Sequence, residues 1–157
     1  MPAKSSLYDR DFYAWSIEQA ALLRQGRVAE ADLENIAEEI ESMGKAEKRE
    51  FVGCLTVLML HLLKWRYQPS GRGNSQRLSI ADARNEIADL LEDSPSLRAN
   101  LDSAMASAYR DAHRKAAIET ELAEETFPAQ SPWTFLEAAN ESFWPDQADG
   151  RNSPSSS

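Results

Sequence analysis

The sequence predicts an all-α protein: a helical bundle of four main helices plus a short C-terminal helix, followed by a disordered tail. Three observations carry this. Apolar residues recur at helical spacing in one segment after another. Glycine and proline number 6 and 7 in 157 residues, too few to punctuate a many-stranded β fold. Hydrophobic residues make up 42 %, which excludes wholesale disorder, and the length suits one core, expected as a single domain over residues 6–144.

The first helix is expected from about Asp9 to Gln25, with Tyr8, Phe12, Trp15, Leu22 and Leu23 in one stripe and Gly26 as its stop. Gln19 projects into the middle of that stripe, where an amide needs a buried partner. Asp32 is a good N-cap for a second helix that sets Leu33, Ile36, Ile40 and Met43 on one face, with Gly44 as a stop or bend. Its Glu34, Glu38 and Glu41 fall on the solvated side, whereas Glu39 and Asp32 lie at the edge of the apolar stripe. From Lys45 to Tyr67 the helix is apolar on nearly every side, as a helix surrounded by others would be. Its apolar run from Phe51 to Leu63 falls well short of the ~20 residues that cross a bilayer, so no membrane span is expected. His61 sits among Cys54, Val57 and Trp65 on that wheel, with Lys64 and Gln68 on adjoining turns.

Pro69, Gly71 and Gly73 mark a loop over 68–74. A helix over roughly Ser79 to Glu92 aligns Ile80, Ile87 and Leu91, with Arg84 breaking the pattern from within. Ser94 and Pro95 read as an N-cap and first helical position for a long helix presenting Leu97, Leu101, Ala104, Met105, Ala108 and Ala112. A last amphipathic piece, Pro132 to Phe143, is expected to dock Trp133, Phe135, Leu136 and Trp144 as a lid, and the Ser/Pro/Asp-rich end, 145–157, reads as disordered. Met1 to Ser6 hold one lysine and no apolar run, and Cys54 is the only cysteine, so a cytoplasmic chain without disulfides is expected.

Four blocks in this order are diagnostic: Tyr8-Asp9-Arg10-Asp11-Phe12-Tyr13-Ala14-Trp15, Glu38-Glu39-Ile40-Glu41-Ser42-Met43-Gly44, His61-Leu62-Leu63-Lys64-Trp65, and Asp93-Ser94-Pro95-Ser96-Leu97. Together they resemble the bacterial "domain of unknown function 29" family over roughly Ser6 to Phe143. The resemblance implies a helical, intracellular protein without an assigned activity. One departure is Gln76, where that family usually carries a tryptophan.

Glu39, His61, Lys64 and Arg84, with Asp32 nearby, are the titratable groups placed at or near apolar faces. Stranding a buried charge costs on the order of 3–5 kcal/mol, so these groups are expected to meet one another. In one reading they form a structural network, Glu39 with Arg84 and His61 with a carboxylate or Gln19. In the other, His61 and Glu39 act as acid and base of a small hydrolase or nuclease-like enzyme while Lys64 or Arg84 holds an anion. A carboxylate-bridged metal is not expected, because neither His61 nor His113 has a glutamate three residues upstream. No cofactor motif is present either.

A net charge of −9 repels nucleic acid over the surface as a whole. The charge is uneven: residues 51–84 carry five basic groups against one acidic, while 30–50 carry three against eight. Trp65, Arg72 and Arg77 in the basic stretch are candidates for RNA or phosphate contacts, and equally for pairing with acidic helices of this chain or of another. The role the sequence favours is a small interaction or accessory module whose partner is a protein, self or other, rather than nucleic acid or membrane.

Overall fold

The computed structural model describes residues 3–145. Six α-helices follow in order: α1 (Ala3–Arg10), α2 (Phe12–Arg24), α3 (Leu33–Tyr67), α4 (Asn74–Asp93), α5 (Leu101–Thr120) and α6 (Phe135–Ala139). Single turns or short runs of 3-10 helix join them at Val28–Glu30, Pro69–Gly71, Pro95–Asn100 and Glu124–Thr126. Among the described residues there is no strand. The four long helices and the short C-terminal one match the expected class. The expected tail after Pro145 lies outside the described residues.

The chain divides into two compact units, with the boundary between Glu47 and Lys48 inside α3. In the first unit the expected single opening helix is two. Asp11 leaves helical geometry (φ −147°, ψ 85°) and its carboxylate accepts from Ala14 N, capping α2. The short acidic side chain competes with the helical backbone bond and wins at that position. α2 ends as foreseen at Gly26 (φ +72°), where Arg27 N donates to Leu22 O and Gly26 N to Leu23 O. That pair of bonds is the Schellman arrangement, which glycine adopts without strain.

Asp32 stands immediately before α3 and its carbonyl accepts the first intrahelical bond, from Ile36 N. Gly44 does not stop the helix: α3 runs unbroken for 35 residues. A mid-helix glycine costs only about 1 kcal/mol, and the strong helix formers Lys45 to Glu50 after it offset that cost.

The second unit holds the main core. Phe51, Leu55, Leu58, Met59, Leu62 and Leu63 of α3 are almost wholly buried with Ile80 and Ile87 of α4. α5 contributes Ala104, Ala108, Ala112 and Ala116 to the same cluster, and their small side chains permit close approach of its neighbours. α4 begins at Asn74, five residues before the expected start, which brings Gln76 inside the helix and under cover. Pro95 opens six residues of 3-10 helix, and regular α-helix starts only at Leu101. α6 is shorter than expected and carries a capping box, Thr134 with Glu137. Trp133 is buried and Phe135 and Trp144 pack against the core, but Leu136, expected to dock with them, is 76 % exposed.

Candidate functional site

In the first unit, the indole of Trp15 donates to Asp32 Oδ2 (3.1 Å) and Asn35 Nδ2 donates to the same oxygen (2.8 Å). Gln19 Oε1 accepts from Asp32 N at 2.7 Å, so the amide that interrupts the stripe of α2 has the buried partner its position requires. Asp32 and Gln19 therefore join α2 to the start of α3. Glu39 accepts the Tyr8 hydroxyl, and this bond, with burial and the carboxylate charge behind it, pushes the phenol up to about 12.

Glu39 and Arg84, expected to pair with each other, each bond within their own unit. Arg84, in the second unit, is buried and spends its guanidinium on backbone carbonyls: Nε on Ala138 O (2.9 Å), Nη1 on Glu141 O (3.4 Å) and Nη2 on Phe143 O (2.8 Å). These carbonyls stand at and after the end of α6, where the helix leaves its acceptors without intrahelical donors. Burial holds the Arg84 pKa below its ordinary value, and only the Glu141 charge opposes that.

His61 takes neither a carboxylate nor Gln19. Its Nδ1 lies 3.1 Å from Gln76 Oε1, and Gln76 Nε2 reaches back to His61 O at 3.4 Å. Gln76, read from the sequence as a departure from the pattern the resemblance implies, is thus the partner of the histidine. Because the Gln76 oxygen only accepts, Nδ1 carries the proton in this bond. Burial holds the imidazole below its ordinary 6.5, and Lys64 pushes the same way. Lys64 itself pairs with Glu119 at 3.2 Å. Cys54 donates its thiol to Glu86 Oε2 (3.2 Å), and burial followed by that carboxylate raises it to about 12, which disfavours the thiolate.

The basic stretch forms a ladder. Arg72 lies over the Trp65 ring (5.2 Å), Arg77 over Trp65 (5.5 Å) and Trp144 (6.0 Å), and Arg84 over Trp144 (5.6 Å), with the two indoles 4.7 Å apart. Arg72 Nε also donates to Trp65 O at 2.7 Å. Trp65 is 4 % exposed, which leaves no open ring face on which a base could stack. Trp144, read from sequence only as part of a lid, is the missing rung.

The unforeseen feature lies in the first half of α3. Its apolar row, set on one face by the sequence, is not covered by the described residues of the chain. Leu33 is 50 % exposed, Ile40 62 % and Met43 68 %, with Ile36 half-buried between them. Spacings of three, four and three residues make this an a/d seam about two heptads long, and Ala37 and Gly44 lie exposed beside it. Glu34, Glu38 and Glu41 are exposed, as their place on the wheel requires.

Among the described residues, no group of three or more His, Cys, Asp or Glu side chains is placed to hold a metal ion. No described helix is long and apolar enough to cross a membrane. No match was found among curated proteins or among solved structures. A family model described as "Domain of unknown function DUF29" matches residues 7–144, most of the 157 in the chain, and the protein belongs to that family.

Proposed function

We propose that this protein is a non-catalytic interaction module that takes a basic amphipathic helix of a partner protein along the first half of α3. The observation that carries the reading is the exposed seam of Leu33, Ile36, Ile40 and Met43. Side chains of this kind in an a/d row gain free energy only when a second helix covers them, roughly 1.5–3 kcal/mol for each one fully buried. The occupant is basic because the seam runs through residues 30–50, with eight acidic groups against three basic. The same charge disfavours a second copy of this helix, which would set acidic flanks against each other.

The residues that sequence reading offered for catalysis support this by their engagements. Glu39 accepts from Tyr8, His61 from its own ring pairs with Gln76, Lys64 with Glu119, and Arg84 with three carbonyls. Each of them joins structural elements within its own unit.

The test is fluorescence anisotropy of a labelled peptide of about three heptads, leucine at a and d and lysine elsewhere. Saturable binding is expected. The double variant Ile40→Ser/Met43→Ser keeps every charge and, at surface positions, the fold; it is expected to weaken binding about tenfold or more. Equal binding by the variant would reduce the attraction to charge alone and overturn the reading, as would no binding by the native chain.

A further inference from the structure

We infer that a cavity in the second unit, formed by α5 and the segment from Ala129 to Phe135, binds a small ligand with an aromatic body and a single anionic group. This goes beyond the reading above and rests on different residues.

The cavity has a volume of about 560 Å3, within the roughly 300–1,000 Å3 of pockets that hold small organic ligands. Its apolar lining comes from Met105, Tyr109, Trp133 and Phe135. Tyr109 and Trp133 are almost wholly covered, so the half-buried Phe135 is the aromatic face a flat ring would meet, with the thioether of Met105 at the cavity wall.

The hydroxyls and the imidazole that line the cavity are already committed. Tyr109 donates its hydroxyl to Pro128 O, and His113 Nε2 donates to Phe127 O at 3.2 Å. Ser131 Oγ donates to Trp133 O (2.7 Å) and accepts from Trp133 N (3.2 Å). Thr134 Oγ1 belongs to the α6 capping box. The Tyr109 and His113 bonds tie the backbone at Phe127 and Pro128 to α5, while those of Ser131 and Thr134 are local to the segment and to α6.

Two charged side chains also line it, Asp102 and Arg110. Asp102 stands in the first turn of α5, where the helix's own N-terminal amides stabilise its carboxylate. Arg110 lies two turns further, with Ala106 one turn before it on the same lining face. Among the described residues, no hydrogen bond or ion pair engages its guanidinium. A planar fork of donors beside an aromatic wall matches a carboxylate or sulfonate carried on a ring.

The probe is anilinonaphthalene sulfonate, titrated into the intact chain and followed by its fluorescence. One saturable site is expected. Arg110→Gln is expected to weaken it about tenfold or more through loss of the charged bond. Ala106→Trp, at an exposed position on the lining, is expected to abolish it by filling the space, with far-UV circular dichroism and the thermal midpoint unchanged. The uncharged analogue phenylnaphthylamine is expected to bind about tenfold more weakly than the sulfonate. Binding unaltered by Ala106→Trp, or no saturable site, would overturn the cavity as the site. Equal binding of the uncharged analogue, or by Arg110→Gln, would overturn the anionic specificity.

Discussion

The two halves of α3 are one continuous helix with opposite surroundings. From Lys48 on, Phe51, Leu55, Leu58, Leu62 and Leu63 vanish into the core of the second unit. Before Glu47, Leu33, Ile40 and Met43 face solvent. Both halves carry apolar side chains at helical spacing, so periodicity alone does not separate them. What separates them is the rest of the wheel. Where a helix is apolar on nearly every side, its own chain must surround it; where one stripe faces a ring of glutamates, the stripe is complete as a surface and a partner can supply the cover.

Substitution breaks this comparison most sharply at Leu62, which has no exposed surface. Leu62→Ala is expected to cost about 2–5 kcal/mol, read from the denaturant midpoint, while Ile40→Ala stays within about 0.5 kcal/mol. Comparable losses at both sites would mean that the first half of α3 is buried in solution. Next in size is Arg84→Met, which removes the donor to three carbonyls beyond α6. A loss of roughly 1.5–3 kcal/mol is expected in the same assay, and hydrogen exchange over residues 135–145 should rise. An unchanged midpoint would contradict the role given to Arg84.

The smallest effect concerns His61. Burial holds its folded pKa below 6.5, so the unfolded chain takes up the proton more readily. The stability this represents is present above pH 6.5 and is lost as pH falls from there through the lower folded value. For a half-buried ring the loss is under about 1.4 kcal/mol per pH unit. Thermal midpoints followed downward from neutral pH should therefore fall less steeply for His61→Gln than for the native chain. Parallel curves would contradict the buried neutral ring.

The helices were legible because their periodicity is strong, and so were the residues that needed partners. Gln19 and Arg84 both stood out as polar groups inside apolar stripes, and both are buried and bonded. The partners were not legible. Those of Arg84 are main-chain carbonyls on a segment whose path depends on how α6 folds back, and a side-chain pattern carries no trace of them. Gln76 was visible only as a departure from a family pattern, because the loop over 68–74 hides which turn of α4 meets His61. The break at Asp11 had a local signal: aspartate three residues before a free amide competes for it. Thr134 and Glu137 likewise spell out a capping box that marks the start of α6. The α5 cavity had no signal of this kind, since its walls come from two separate stretches of sequence, 102–113 and 129–135.

The most direct test of the central claim is amide hydrogen exchange with and without the basic amphipathic peptide. If the first half of α3 is the docking surface, exchange slows over residues 33–47 and leaves the helix after Lys48 as it was. Slowing confined to the other acidic stretches, at 85–93 or 119–125, or no slowing at a saturating concentration, would contradict it.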